Sequence, residues 1–192
     1  MKCGEKMYIR ELTAKDAKSY WQLRLKTLRQ NPNSFLVTIE EEENKAQPIK
    51  KAIMQLKDPT RLTFGAFYNN QLIGAITLQK EVFIKIKHKG SVLSFFVEKD
   101  FRGNGIGRGL LQKIISTANE YQIEQLLLSV VSTNERAIQL YQSIGFTSIG
   151  TEKRALKVDN QYFDEQHMVL FLNEVVKERV ESETKNSRNF II

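Results

Sequence analysis

One contiguous stretch limits what this chain can fold into more than any other: Phe95-Phe96-Val97-Glu98-Lys99-Asp100-Phe101-Arg102-Gly103-Asn104-Gly105-Ile106-Gly107-Arg108-Gly109. Its apolar residues end at Val97, a polar turn follows, and glycine then holds every second position from Gly103 to Gly109. Next, Ile106, Leu110, Leu111, Ile114, Ile115 and Ala118 recur with the period of one helix face. The stretch therefore predicts a strand, a glycine-rich turn and a helix. Glycine accepts positive φ and lets a ligand approach the main chain. The first turn of a helix carries unpaired N–H groups and a partial positive charge. Together these make an anion site suited to phosphate, to which Arg102 and Arg108 add full charges and forked donors.

Several glycine-rich motifs bind phosphate, and most fail here. The dinucleotide pattern G-x-G-x-x-G meets Arg108 in its sixth position when counted from Gly103, and Leu110 when counted from Gly105. A P-loop needs Lys followed by Ser or Thr, which is absent from this stretch. The kinase glycine loop leads into a strand, whereas this one leads into a helix. What remains is Arg-x-x-Gly-x-Gly on Arg102, Gly105 and Gly107, and a second pattern follows it: Asn134-Glu135-Arg136-Ala137-Ile138-Gln139-Leu140-Tyr141-Gln142-Ser143-Ile144-Gly145-Phe146. The first resembles the pyrophosphate-binding motif of the GNAT superfamily, the acyl-CoA-dependent N-acetyltransferases. The second resembles that family's Asn-x-x-Ala-x-x-Leu-Tyr-x-x-x-Gly-Phe motif. The resemblance runs from about residue 7 to 172, weak at the front and clear over 90–146.

A chain of 192 residues suits one domain. We place that domain at 7–172 and a charged tail at 173–192, read as a frayed helix passing into disorder. With 29 Lys and Arg against 22 acidic residues, the formal charge of +7 favours an anionic partner. Coenzyme A meets that description. Nucleic acid would too, but the basic residues are scattered and no groove-reading motif appears. The lone cysteine, Cys3, excludes a disulfide framework and fits a reducing compartment. No apolar run is long enough to span a membrane and no signal-peptide core is present, so the cytoplasm is the expected location.

Strands are predicted over 7–12, 62–68, 72–78, 92–97, 126–131, 146–152 and 162–172, with an extended or irregular edge over 82–86. Thr13-Ala14-Lys15-Asp16 and Ser132-Thr133-Asn134-Glu135 read as helix starts, and Asn69-Asn70 as a tight hairpin turn. Glu40–Glu43 is an acidic run in a loop or helix start, and Pro48 opens a further helix. This order implies an α/β fold with a mixed sheet and helices on both faces. The strands at 92–97 and 126–131 flank a helical crossover and should be parallel neighbours. The resemblance implies a mostly antiparallel sheet in which that one parallel pair splays at its C-terminal end to admit the cofactor.

The resemblance also assigns roles. Acetyl-CoA would be the co-substrate. The amides of Gly103, Asn104, Gly105, Ile106, Gly107 and Arg108 would hold its pyrophosphate, with Arg102 and Arg108 assisting. Its pantetheine arm would run beside Phe95, Phe96 and Val97, whose side chains are free to pack in the core. The N–H at or near Val97 would meet the oxyanion. Tyr141 would protonate the leaving thiolate, the alternative being an ordinary buried tyrosine. Asn134 would bond the cofactor, the alternative being purely local helix-end bonds. No metal is implied. The acceptor would be a small-molecule primary amine or a peptide amine, attacked directly in a ternary complex. A non-catalytic acyl-CoA-binding module and a protein N-terminal or lysine acetyltransferase are the other readings. The polyamine branch of the family carries acidic residues just before its aromatic pair, where this chain has Leu93 and Ser94. The general base is unassigned: His88 and His167 read as structural, and Glu98 as solvated. Glu40–Glu43, Asp159, Asp164 and Glu165 would either attract a cationic amine or form a solvated charge run. Dimers are common in the family, so a homodimer is an allowed assembly.

Overall fold

A computed structural model describes residues 6–172. Cys3 and the tail expected at 173–192 lie outside the described residues. The order is β1 (Met7–Glu11), α1 (Ala17–Gln30), α2 (Ile39–Glu43), α3 (Pro48–Lys57), β2 (Arg61–Tyr68), β3 (Gln71–Lys80), β4 (Lys89–Val97), α4 (Ile106–Glu120), β5 (Gln125–Val131), α5 (Glu135–Gln142), β6 (Thr147–Val158) and β7 (Gln161–Phe171). The strands form one seven-stranded sheet in the order β1-β2-β3-β4-β5-β7-β6. Every neighbouring pair is antiparallel except β4–β5, whose strands are joined by the α4 crossover. This is the mixed α/β sheet that the element order implies.

Local chemistry explains the elements. The Thr13 N–H donates to the Asp16 carboxylate at 2.8 Å at the entry to α1. Arg10 grips the same carboxylate at 2.7 and 2.8 Å and, with the Thr13 bonds, holds its pKa down at about 2. Asn69 and Asn70, both at positive φ, close the β2–β3 hairpin, and Asp159 and Asn160 close β6–β7 in the same way. The acidic run becomes α2, where Thr38 and Glu41 form a reciprocal capping box. At α5 the cap is Asn134, whose Oδ1 accepts from the Ala137 N–H.

The two sheet faces carry separate cores. On one, Leu110, Leu111, Ile114 and Ala118 of α4 are fully buried against Phe64, Ile73, Ile76 and Leu78, joined by Ile138 and Tyr141 of α5. Each fully buried Leu or Ile contributes about 1.5–3 kcal/mol. On the other, Tyr20 and Leu23 of α1 and Ala52 of α3 cover Phe67, Leu72, Ala75 and Phe96. Of the two forms expected for 82–86, the irregular one is found. Residues 82–86 do not join the sheet but form turns, with Ile86 N–H bonded to Phe83 O, and Val82, Phe83 and Ile84 are exposed. Among the described residues no helix is long and apolar enough to cross a membrane.

Candidate active site

The site begins where β4 and β5 part. Their ladder pairs Lys89 with Gln125, Gly90 with Leu126 and Ser91 with Leu127, and then stops. Just past that point β4 carries an extra residue relative to β3, with the register shift between Ala75 and Thr77. Ser94 absorbs it at φ 49°. Such a bulge kinks a strand and resets which side chains face which side. Here it lets Val92 and Val97, an odd number of residues apart, face the same α4 core. Phe96 points the other way onto Tyr20 and Phe35, at ring separations of 6.2 and 6.4 Å, while Phe95 turns onto Tyr141 at 5.9 Å. Glu98 N–H donates to Ile73 O at 2.8 Å. Antiparallel alternation therefore turns the N–H and C=O of Val97 away from β3, toward the gap. Arg102 Nε reaches that carbonyl at 2.9 Å.

The glycine turn closes one end of the gap. Gly103 and Gly105 have φ of 86° and 76°. At Gly107 a Cβ would come within 3.1 Å of Leu140 Cδ2 and 3.3 Å of Phe95 Cζ, so any larger residue would make those two side chains give way where α4 starts beside α5. The N–H groups of residues 103–108 donate to no group among the described residues, and the first helical bond is Gly109 N–H to Gly105 O at 2.9 Å. They form an uncompensated row of donors at a helix start. Gly103, Gly105, Ile106, Gly107 and Arg108 line the cleft, as do Phe95, Phe96 and Val97. Asn104 does not, and its Nδ2 folds back onto Phe101 O at 3.2 Å. Both expected arginines have protein partners: Arg102 Nη1 bonds Asn31 Oδ1 at 3.2 Å, and Arg108 Nη2 bonds Ser143 Oγ at 2.8 Å. Arg136, which neither motif marks, is a third cation here. It also lines the cleft, with a guanidinium nitrogen 3.8 Å from where a Cβ on Gly103 would stand. Burial first, then the like charge of Arg136, pulls the Arg102 pKa below its ordinary value.

Tyr141 and Asn134 line the same cleft from α5. The Tyr141 ring is clamped between Phe95 and Phe146, at 5.9 and 5.8 Å. Burial raises its phenol above the ordinary range, so it carries its proton at neutral pH. Its hydroxyl has no hydrogen-bond partner among the described residues. Asn134 spends its carbonyl oxygen on the α5 cap. The cleft as a whole measures about 770 Å³.

Comparison with known proteins agrees with this geometry. Residues 9–167 match the family model described as "Acetyltransferase (GNAT) domain". The chain belongs to the GNAT family. It is 34% identical over 113 residues to N-alpha-acetyltransferase 30 of Dictyostelium discoideum, a match covering 59% of this chain and 59% of that protein. The chain thus spans under two thirds of that relative's length. It is 24% identical over 132 residues to a probable spermine N(1)-acetyltransferase of Bacillus subtilis subsp. natto, covering 65% of this chain and 87% of that one. Among solved structures, a probable acetyltransferase from Staphylococcus epidermidis superimposes with a TM-score of 0.72 at 30% identity, covering 86% of this chain and 99% of that one.

The other half of this GNAT cleft lies on the α1 face. Phe35, Leu36 and Val37, between α1 and α2, form an apolar lip, with Leu36 78% exposed. Two expectations fail here. Glu98 is not solvated: it lies under α1, is only 4% exposed, and is paired with Lys26 at 2.6 Å. Nor is the whole acidic run a solvated face. Glu42 is buried between Arg24 and Lys45, each at 2.8 Å. Burial opposes its charge, but Lys45 and Arg24 outweigh it and hold the carboxyl below its ordinary range. Glu43 pairs with Arg29. His88 stands in the loop before β4, at the end away from the cleft. His167 bonds Ser129 Oγ at 2.9 Å and Glu152 Oε2 at 3.2 Å. Glu165 is the one carboxylate lining the cleft among the described residues. No three His, Cys, Asp or Glu among those residues are placed to hold a metal.

Proposed function

We propose that this chain is an N-acetyltransferase that moves the acetyl group of acetyl-CoA to a primary amine by direct attack in a ternary complex. One observation carries the reading: a gap between parallel strands has unpaired amides at its mouth and is lined by Val97 and Tyr141. The diphosphate would take the N–H groups of residues 103–108, with Arg102, Arg108 and Arg136 adding charge. The pantetheine arm would lie along Phe95, Phe96 and Val97, using edge groups that β5 no longer pairs. Asn134, which lines the same cleft, would offer its amide N–H groups to that arm.

The chemistry follows from those placements. Holding thioester and amine in line removes much of the entropic barrier. As the amine nitrogen attacks the carbonyl carbon, negative charge gathers on its oxygen, and a preorganised N–H such as that of Val97 is worth about 2.7–4 kcal/mol there. The C–S bond then breaks, and the thiolate takes the Tyr141 proton. A phenol kept protonated by burial suits that role.

The acceptor is best read as a small primary monoamine. A polyamine would call for several carboxylates, whereas among the described residues Glu165 is the one carboxylate in the cleft lining and Leu93 and Ser94 replace the acidic pair of the polyamine branch. A peptide N-terminus is the second reading, favoured by the similarity to N-alpha-acetyltransferase 30 and by the apolar lip at Leu36. Titration with coenzyme A in physiological salt, followed by thiol release from acetyl-CoA over a panel of amines and short peptides, tests both steps. The reading requires saturable binding and acceptor-dependent thiol release. Absence of binding would remove it, and binding without release would leave a non-catalytic module.

A further inference from the structure

The reaction above lacks a group to take the proton that the amine nitrogen sheds. We infer that Glu165 is this general base and that His167, braced by Ser129 and Glu152, is the residue that positions and tunes it. The inference rests on the acetyltransferase reading.

Register places these residues together. β5 and β7 pair Ser129 with His167 and Val131 with Glu165, while β6 and β7 pair Glu152 with Glu165. Side chains two apart on a strand share a face, so Glu165 and His167 lie side by side. Their face is opposite that of Leu128, Val130 and Met168, which belong to the α4 core. Ser129, Val131 and Glu165 line the cleft that also holds Val97 and Tyr141. The acid and the base thus enter the reaction space from different elements, Tyr141 from α5 and Glu165 from β7. His167 is held at both ring nitrogens, by Ser129 Oγ at 2.9 Å and Glu152 Oε2 at 3.2 Å. It is fixed as a brace and is not free to meet substrate.

Electrostatics agree with the geometry. Burial raises the Glu165 pKa above the ordinary carboxylate range, His167 pulls it down, and Glu152 pushes it up. The facing β5 residue, Val131, is uncharged. Neighbouring Asp164 is tied to Lys153 at 2.8 Å. Arg24 and Arg136 line the cleft from α1 and α5. A carboxylate tuned upward is a stronger base and takes a proton more readily.

The step balances. The nitrogen lone pair forms the N–C bond and the carbonyl π pair moves to oxygen, while the N–H proton passes to the Glu165 carboxylate. The oxygen pair then re-forms the carbonyl, the C–S electrons leave on sulfur, and sulfur takes the Tyr141 proton. Solvent removes the proton from Glu165 and restores that of Tyr141. The net products are the amide and coenzyme A.

The test is steady-state kinetics of the full chain with acetyl-CoA and the best-turned-over acceptor from spermine, simple primary amines and short peptides. Glu165→Gln should lower kcat by about 100-fold or more, the usual weight of a general base, with KM for acetyl-CoA within about twofold. Glu165→Asp should recover part of the rate. His167→Gln should move the acid limb of kcat/KM to higher pH, because it removes the group that holds Glu165 down. A purely structural role would change the level and not the limb. Retention of kcat within about threefold in a folded Glu165→Gln would overturn the inference and leave the acetyltransferase reading standing. Wild-type protein that transfers to none of these acceptors would overturn both.

Discussion

The two halves of the cleft are built by different means. On the proposed cofactor side the groups on offer are main-chain N–H donors at residues 103–108 and Val97, set out by glycine spacing, a bulge and a helix start in one short stretch. On the proposed acceptor side they are side chains, Glu165, His167, Ser129 and Glu152, gathered from three strands by cross-strand register. Main-chain chemistry tolerates any side chain that permits the conformation, so it leaves a spacing pattern. Side-chain chemistry across strands leaves no local pattern. The contrast also separates the variants: changes on the cofactor side should act on binding, and changes near the reacting atoms on turnover.

Apart from Glu165→Gln, the largest effect should come from Tyr141→Phe. Loss of the thiolate's proton source should lower kcat by about 100-fold, or roughly 2.7 kcal/mol, with coenzyme A affinity within about twofold. An unchanged rate would return Tyr141 to the role of a packed aromatic. Next is Gly105→Ala. No atom lies within 4 Å of the added Cβ, so the cost is the positive φ of 76° alone. That costs about 1–2 kcal/mol and should appear as a lower Tm and weaker coenzyme A binding. A smaller effect belongs to Arg136→Ala, which removes one cation beside the loop and should weaken coenzyme A binding about 3–10-fold, more at low salt. Equal loss at high and low salt would contradict a charge role.

Away from both halves, Asp16 provides a control. Its pKa is depressed from 3.8 to about 2 by Arg10 and Thr13. The stability it adds is therefore fully present above about pH 4 and lost as pH falls through about 2. In Asp16→Asn that part of the acid dependence should vanish from thermal melts, with coenzyme A affinity unmoved.

Sequence and structure agree where chemistry is local. The α4 face from Ile106 to Ala118, the asparagine hairpin at Asn69–Asn70 and the parallel pair around α4 follow from period, turn residues and connection length. Alternation over 82–86 allowed an extended or an irregular edge, because it gives a strand only if a sheet face is there to bury it; Val82, Phe83 and Ile84 find none. The bulge at Ser94 was hidden because serine carries no mark of positive φ. Glu98 and Glu42 looked solvated because their partners Lys26 and Arg24 lie on a helix distant in sequence. Glu165 was one acid among several until register set it in the cleft.

The most direct measurement is amide NMR of the ¹⁵N-labelled protein titrated with coenzyme A and then acetyl-CoA. The N–H signals of residues 103–108 should shift saturably with either ligand, Val97 should respond along the pantetheine path, and the loop at 81–88 should stay still. Saturable binding that left the 103–108 amides unmoved would contradict the claim that these unpaired donors hold the cofactor.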